Sequence, residues 1–293
     1  MKPLRLPLPL ALAFASLALD APTLATRLNA ESSKPATEWF CADLLRAPPG
    51  TTPEKPLHGA LGSTLEWLVL FNLTERDASA EITFYFEDGS PTRYTLTLPA
   101  GANKVIGSNV NEPAVEMPMG RLYGARVRSS VPLVVQTTRA EREEGVKLPN
   151  MPGHSFLSRL GYPGPLGQRE TAWAYADSHI ARTNPRHKEL EWITVLNPNA
   201  GRDARVKVTF HYGATKTTHA FTVGAERVRS VALEDIDIVR DGGHCGVLVQ
   251  SDVPIVVEQV RRFMYRQHPA PAGTWIVTGY PIGDLHLGSG AGR

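Results

Sequence analysis

Three charged residues recur along the chain at matched positions: Asp43, Glu66 and Arg139, and again Asp177, Glu191 and Arg261. Two carboxylates and a guanidinium offer three kinds of chemistry. The planar guanidinium can clamp a ligand through a fork of parallel hydrogen bonds. It can instead neutralise the carboxylates in a structural ion pair that ties the first strand of a domain to its last. Finally, paired carboxylates can hydrolyse a glycosidic bond, which demands a definite separation that no sequence fixes. The ion pair is the favoured reading, the ligand fork second and hydrolysis last.

Other reactive groups are sparse. Of the nine histidines, five fall between His179 and His244, but none has metal-ligand spacing. His211 and His219 flank one expected hairpin; a register with Phe210 opposite Phe221 and Val208 opposite Val223 puts them on opposite faces. There is no Gly-x-Ser-x-Gly elbow, phosphate-cradling glycine loop or Cys-x-x-Cys pair. No metal and no cofactor is therefore expected, and the chain is not read as an enzyme. The most basic local stretch is the loop from Ser178 to Leu190, where His179, Arg182, Arg186, His187 and Lys188 form a candidate partner contact. Trp67 and Trp192 begin central strands and read as core, whereas Trp39 and Trp173 sit where a ring can line an edge and serve as a sugar platform.

These residues recur because the chain repeats itself. Ser130 to Arg139 (SVPLVVQTTR) answers Asp252 to Arg261 (DVPIVVEQVR), and Glu66 to Asn72 (EWLVLFN) answers Glu191 to Asn197 (EWITVLN). Trp39 and Asp43 likewise answer Trp173 and Asp177, and Leu160-Gly161-Tyr162-Pro163 answers Thr278-Gly279-Tyr280-Pro281. A duplicated domain accounts for this order. The length of 293 residues gives each copy enough chain for a core of its own.

Period-two alternation positions the repeated residues on strands. Ala80, Ile82, Phe84 and Phe86 alternate with polar neighbours, Asp88-Gly89-Ser90-Pro91 supplies a turn, and Tyr94, Leu96 and Leu98 alternate again. Val206, Val208, Phe210 and Tyr212, a turn near Gly213, and Phe221 and Val223 repeat the hairpin. Trp67 to Leu73 and Trp192 to Leu196 are apolar on both faces, the pattern of central strands covered from both sides. Gly124 to Arg128 and Gly246 to Gln250 lead through two-residue connections into the Val-Pro runs and read as a further hairpin in each copy. Ala140 to Gly153 and Gln267 to Gly273 read as loops, and Gly164 to Glu170 as the linker between copies. The predicted class is all-β: two tandem antiparallel β-sandwich, jelly-roll-like domains.

The N-terminus reads as an export signal, with Lys2 and Arg5 before an apolar run from Leu6 to Leu19 and cleavage near Ala25 or Ala30. A secreted or periplasmic location follows. No later segment is long and apolar enough for a transmembrane helix. The formal charge of +2, with no block of like charge, argues against nucleic acid as a partner. Export raises the question of whether Cys41 and Cys245 pair; each lacks a counterpart in the other copy, so two separate buried thiols are favoured over a bridge between domains.

Taken in order, Trp39 to Asp43, Glu66 to Asn72, Asn109 to Pro113 (NVNEP) and Ser129 to Arg139 resemble the sensory rhodopsin transducer family, and Trp173 to Asp177 with Ser251 to Arg261 repeat the resemblance. It implies a compact β-sandwich, similar in outline to carbohydrate-binding modules, that works by binding and tends to self-associate. Three departures are visible: the tandem arrangement with its apparent export signal, Leu65 and Leu190 where the family carries a histidine before the glutamate, and no NVNEP element in the second copy.

The expected layout is a signal peptide and mature N-terminus at 1–30, transducer-like sandwiches at 36–166 and 170–284, and a flexible tail at 285–293. The expected function is an exported, non-catalytic binding protein that engages a protein surface or a glycan and forms a possible homo-oligomer. A structural or assembly protein of the cell envelope is the alternative, and a carbohydrate-active enzyme comes last.

Overall fold

The computed structural model describes residues 35–48, 63–107, 115–148, 151–181, 183–184, 187–237, 239–265 and 273–282. Copy 1 consists of β1 (Ala36–Leu45), β2 (Ser63–Asn72), β3 (Ala78–Phe86), β4 (Thr92–Leu98), β5 (Asn103–Gly107), β6 (Leu122–Leu148), β7 (Met151–Leu160) and β8 (Tyr162–Pro163). Copy 2 consists of β9 (Ala172–His179), β10 (His187–Asn197), β11 (Ala204–Tyr212), β12 (Thr215–Val223), β13 (Arg227–Ala232), β14 (His244–Ser251), β15 (Val256–Tyr265), β16 (Gly273–Thr278) and β17 (Tyr280–Pro281). Among the described residues the only helical turns are of the 3-10 type, at Gln168–Thr171 and Leu233–Asp235.

Each copy is a β-sandwich. In copy 1 a four-strand sheet, β5-β2-β6-β7, faces a five-strand sheet, β4-β3-β6-β1-β8. Copy 2 repeats this with β13-β10-β15-β16 facing β12-β11-β14-β9-β17. Inward residues such as Leu68, Leu70, Ile82 and Phe84 fill the first sandwich, and Ile193, Val195, Val208 and Phe210 fill the second. Each large aliphatic or aromatic side chain so buried contributes about 1.5–3 kcal/mol.

The Val-Pro runs correct the sequence reading. They do not turn back as hairpins; in copy 1 a single 27-residue strand, β6, pairs β3 and β1 with its first half and β2 and β7 with its second. In copy 2, β14 and β15 likewise belong to different sheets. Proline cannot donate a ladder hydrogen bond, so the chain bends there and carries on into the facing sheet. Trp39 and Trp173 fasten this crossing and are fully buried, not edge platforms: Nε1 of Trp39 donates to Leu133 O and Nε1 of Trp173 to Ile255 O, both at 3.0 Å. The chain crosses again at Gly161 and Gly279, where a Cβ would lie 3.1 Å from Cys41 Sγ and 2.8 Å from Tyr175 Oη, so the first corner is tight for any larger residue and the second has no room for one unless Tyr175 shifts. Asn72 and Asn197 clamp equivalent turns through side-chain bonds to Leu98 O and Val223 O.

Further corrections concern register and extent. β11 and β12 pair Val206 with Phe221 and Val208 with His219, four residues away from the expected register, because the two-residue turn at Gly213 (φ 62°) fixes it. His211, opposite Lys216, still lies on the other face from His219. Ala140 to Leu148 is strand, paired with β7, and not loop; His187 to Leu190 is likewise the start of β10, closed against β15. Residues 1–34, 108–114, 266–272 and 283–293, which hold the export signal, NVNEP, most of the second predicted loop and the tail, lie outside the described residues, as do Arg182 and Arg186.

The two sandwiches stack. The four-strand sheet of copy 2 lies on the five-strand sheet of copy 1, and Phe40, Ala42, Tyr85 and Leu122 of copy 1 join the apolar cluster of copy 2. A single parallel pair, Arg227 with Phe86, links the ladders. This explains why the predicted two-sided burial of the central strands holds in only one copy. β10 is buried on both faces from Leu190 to Asn197, whereas β2 alternates, with Trp67 half-buried and Phe71 38% exposed.

Candidate functional site

The structure brings each recurrent trio together. In copy 1, Arg139 Nε donates to Glu66 Oε2 (3.1 Å) and Nη2 donates to both Asp43 Oδ1 (2.9 Å) and Asp43 O (3.1 Å). In copy 2, Arg261 Nε donates to Glu191 Oε2 (3.0 Å), Nη1 to Asp177 Oδ2 (2.9 Å) and Nη2 to Asp177 O (3.1 Å). The same local feature produces both: β1 and β9 carry a bulge, Ala42-Asp43 opposite Gly124 and Ala176-Asp177 opposite Gly246, which turns the aspartate toward the neighbouring arginine. With the guanidinium lodged between them, the two carboxylates are engaged with each other's counter-ion and do not face each other across an open space.

The environments differ. In copy 1 the trio is sealed, with side-chain exposures of 2% for Arg139, 7% for Asp43 and 0% for Glu66. Copy 2 supplies the seal. Glu258 accepts from the bulge N–H groups of Ala42 (3.0 Å) and Asp43 (2.5 Å), and its carboxylate is held by Arg159 Nη2 at 2.8 Å. Thr194 Oγ1 donates to Asp43 Oδ2 at 2.7 Å, and Arg159 also donates to Asp43 O. Burial acts to raise the Asp43 carboxyl, but Arg139, Arg159 and Thr194 outweigh it and hold it below its ordinary value. Burial wins at Glu66, whose carboxyl is pushed up to about 7 despite both arginines. Burial also drives the Cys41 thiol far above its ordinary range; Cys41 and Cys245 are both free and buried.

In copy 2 the trio borders an open cleft of about 600 Å³, lined among others by Ala176, Asp177, Gln259, Arg261, Val277 and Tyr280. Asp177 has 54% of its side chain exposed and Arg261 20%. Hydrogen bonds from His244 and Arg261 pull the Asp177 carboxyl down, while burial raises that of Glu191, which Ser178, His179 N–H and Gln259 also reach. His179 and His244 stack at 4.3 Å, the first bonded to Glu189 and the second to Asp177. Of the basic stretch predicted for partner contact, His179 is placed beside the trio, and His187 and Lys188 are backbone partners of Tyr265 and Met264. No group of three or more metal-ligating side chains occurs among the described residues.

Sequence reasoning missed Arg159, Glu258 and Thr194. Their counterparts by the repeat are Val277, Gln136 and Val69. A search for recurrence discards such positions, yet for Arg159 and Glu258 the change of charge between aligned copies is the available signal, and Thr194 offers none of that kind.

A family model described as Anabaena sensory rhodopsin transducer matches residues 36–149 and again 167–275. The chain belongs to this family. Among solved structures, one titled as that of Thermotoga maritima 1070 is 21% identical over 44% of this chain and 96% of its own, with a TM-score of 0.34. The Anabaena sensory rhodopsin transducer is 28% identical over 40% of this chain and 92% of its own, with a TM-score of 0.28. No curated protein matches. Two transducer-family sandwiches in one chain thus carry the same Asp-Glu-Arg trio, one sealed and one open.

Proposed function

We propose that this chain is an exported, non-catalytic binding protein in which copy 1 serves as a scaffold and the cleft of copy 2 docks a protein surface. One observation carries the reading: the counterpart of this cleft in copy 1 is already a protein-docking surface, covered by β10 and β15. The family name, transducer, fits a protein that acts by contact. Export rests on Lys2, Arg5 and the apolar run Leu6 to Leu19. A glycan is the second reading, on the strength of Tyr280, 52% exposed beside the cleft with a ring suited to stacking.

The test is capture of partners from an envelope fraction by the purified chain, alongside a glycan array, with Val277→Glu and Tyr280→Ser as cleft variants. Loss of a captured protein in both variants supports protein docking, and array signals lost in both shift the ligand to a glycan. Capture that neither variant changes, or turnover of an arrayed sugar, overturns the proposal. Recovery of the protein only from the cytosol, with residues 1–25 intact, would overturn export.

A further inference from the structure

Three positions around the trio change character together between the copies. In copy 1, Leu45 of β1 stands opposite Leu122 of β6, both buried, and Thr64 of β2 donates to Leu45 O at 2.7 Å. The same positions in copy 2 are His179, His244 and Glu189. A sealed, uncharged corner of the first sandwich is thus a titratable corner of the second, and it lies at the open cleft.

The histidines are wired to the cleft. Their rings stack at 4.3 Å, with Nδ1 of His179 bonded to Glu189 Oε2 at 2.8 Å and Nδ1 of His244 to Asp177 Oδ1 at 2.9 Å, and both carboxylates line the cleft. Beside them, Glu191 of β10 is buried and shares Arg261 of β15 with Asp177, while Asp241, on the loop before β14, accepts from Thr183 N at 3.1 Å. Histidine changes charge between about pH 5 and pH 8. With neutral imidazoles, the rim sets two carboxylates, Asp177 and Glu189, against one guanidinium already committed to Asp177 and Glu191, so negative charge is in excess. With both imidazoles protonated, each carboxylate has a cation of its own and the excess is gone. Copy 1 shows what the cleft lacks: there Arg159 reaches Asp43 O, and its counterpart in copy 2 is Val277.

We propose that the copy 2 cleft docks a lysine or arginine side chain of the partner protein while His179 and His244 are neutral, and releases it when they are protonated. This rests on the protein-docking reading above and adds the partner's chemistry and its regulation. Asp177 is the anchor, with 54% of its side chain exposed and a carboxyl held below its ordinary value, so that it stays ionised while the histidines titrate. Val277 and Tyr280, each 52% exposed, offer apolar surface to the aliphatic stem, and the tyrosine ring attracts a cation over its face.

Titration calorimetry of the purified chain with pentalysine at pH 7.5 and pH 5.5 tests it, with pentaglutamate as the probe of opposite charge. Pentalysine should bind at pH 7.5, and its affinity at pH 5.5 should fall about ten-fold for each histidine that must shed a proton. Asp177→Asn should lose pentalysine at both pH values. His179→Leu with His244→Leu, which copies the pair in copy 1, should bind pentalysine alike at both. Should that double variant misfold, His244→Gln, at a side chain 72% exposed, should remove about half of the logarithmic response to pH. Binding of pentalysine that ignores pH in the wild type, binding that survives Asp177→Asn, or a preference for pentaglutamate overturns the inference. An envelope protein captured through the cleft equally at both pH values overturns it while leaving the proposed function standing.

Discussion

Glu66 makes folding stability depend on pH in a calculable way. Its carboxyl is pushed from an ordinary 4.5 to about 7 in the folded chain. Between those values the folded state holds a proton that the unfolded state has released, so stability falls as pH rises through the window and levels off above about 7. A shift of that size costs about 2.5 kcal/mol between pH 5 and pH 8. Asp43 does not interfere, since its carboxyl is held low and its stabilising contribution is lost only at more acid pH. Glu191, raised by burial, adds a change of the same sign. Glu66→Gln keeps the acceptor for Leu45 N–H and Arg139 Nε but has no proton to lose. Urea unfolding of wild type and variant at pH 5 and pH 8 should show the variant more stable at pH 8, with a clearly flatter pH response. Identical pH responses in the two proteins would refute the claim that Glu66 is the buried acid that titrates.

Two further outcomes follow from the same geometry. Arg139→Ala strands Asp43 and Glu66 in a sealed site and should cost about 3–5 kcal/mol of stability, whereas Arg261→Ala, whose partner Asp177 is half solvated, should cost distinctly less; equal losses in urea unfolding would contradict the contrast in burial. Arg159→Val alone leaves Glu258 without its counter-ion and should destabilise by about 3 kcal/mol, while adding Glu258→Gln, which copies the repeat counterparts Val277 and Gln136, should recover most of the loss; a double variant no better than the single would show that the pair is not coupled.

Much of the fold could be read directly because one-sided burial imposes alternation. Ala80 to Phe86 and the turn at Asp88-Gly89 announce a hairpin, and the trio Asp43, Glu66 and Arg139 announces itself by repetition. What escaped has physical causes. A strand that passes from one sheet to the facing one keeps its apolar alternation, so the Ser-Ser and Ser-Asp steps before Val-Pro look like turns when they are bends. The register of β12 does not follow from alternation, because Phe221 and Val223 fit either pairing and the tight turn at Gly213 decides. The position of Trp39 on the first strand allows an edge, but its indole N–H finds a buried carbonyl 94 residues away, a contact no local pattern reveals. The seal over copy 1 escaped for the opposite reason, since Glu258 and Arg159 matter by differing from their counterparts.

The ion pair between Glu258 and Arg159 also works as an address. A glutamine at position 258, as at its counterpart Gln136, would leave Arg159 without its carboxylate partner, so the contact favours the module that carries Glu258. Joining two modules in one polypeptide places each beside the other at high local concentration and lets their shared boundary specialise independently of surfaces that meet other molecules.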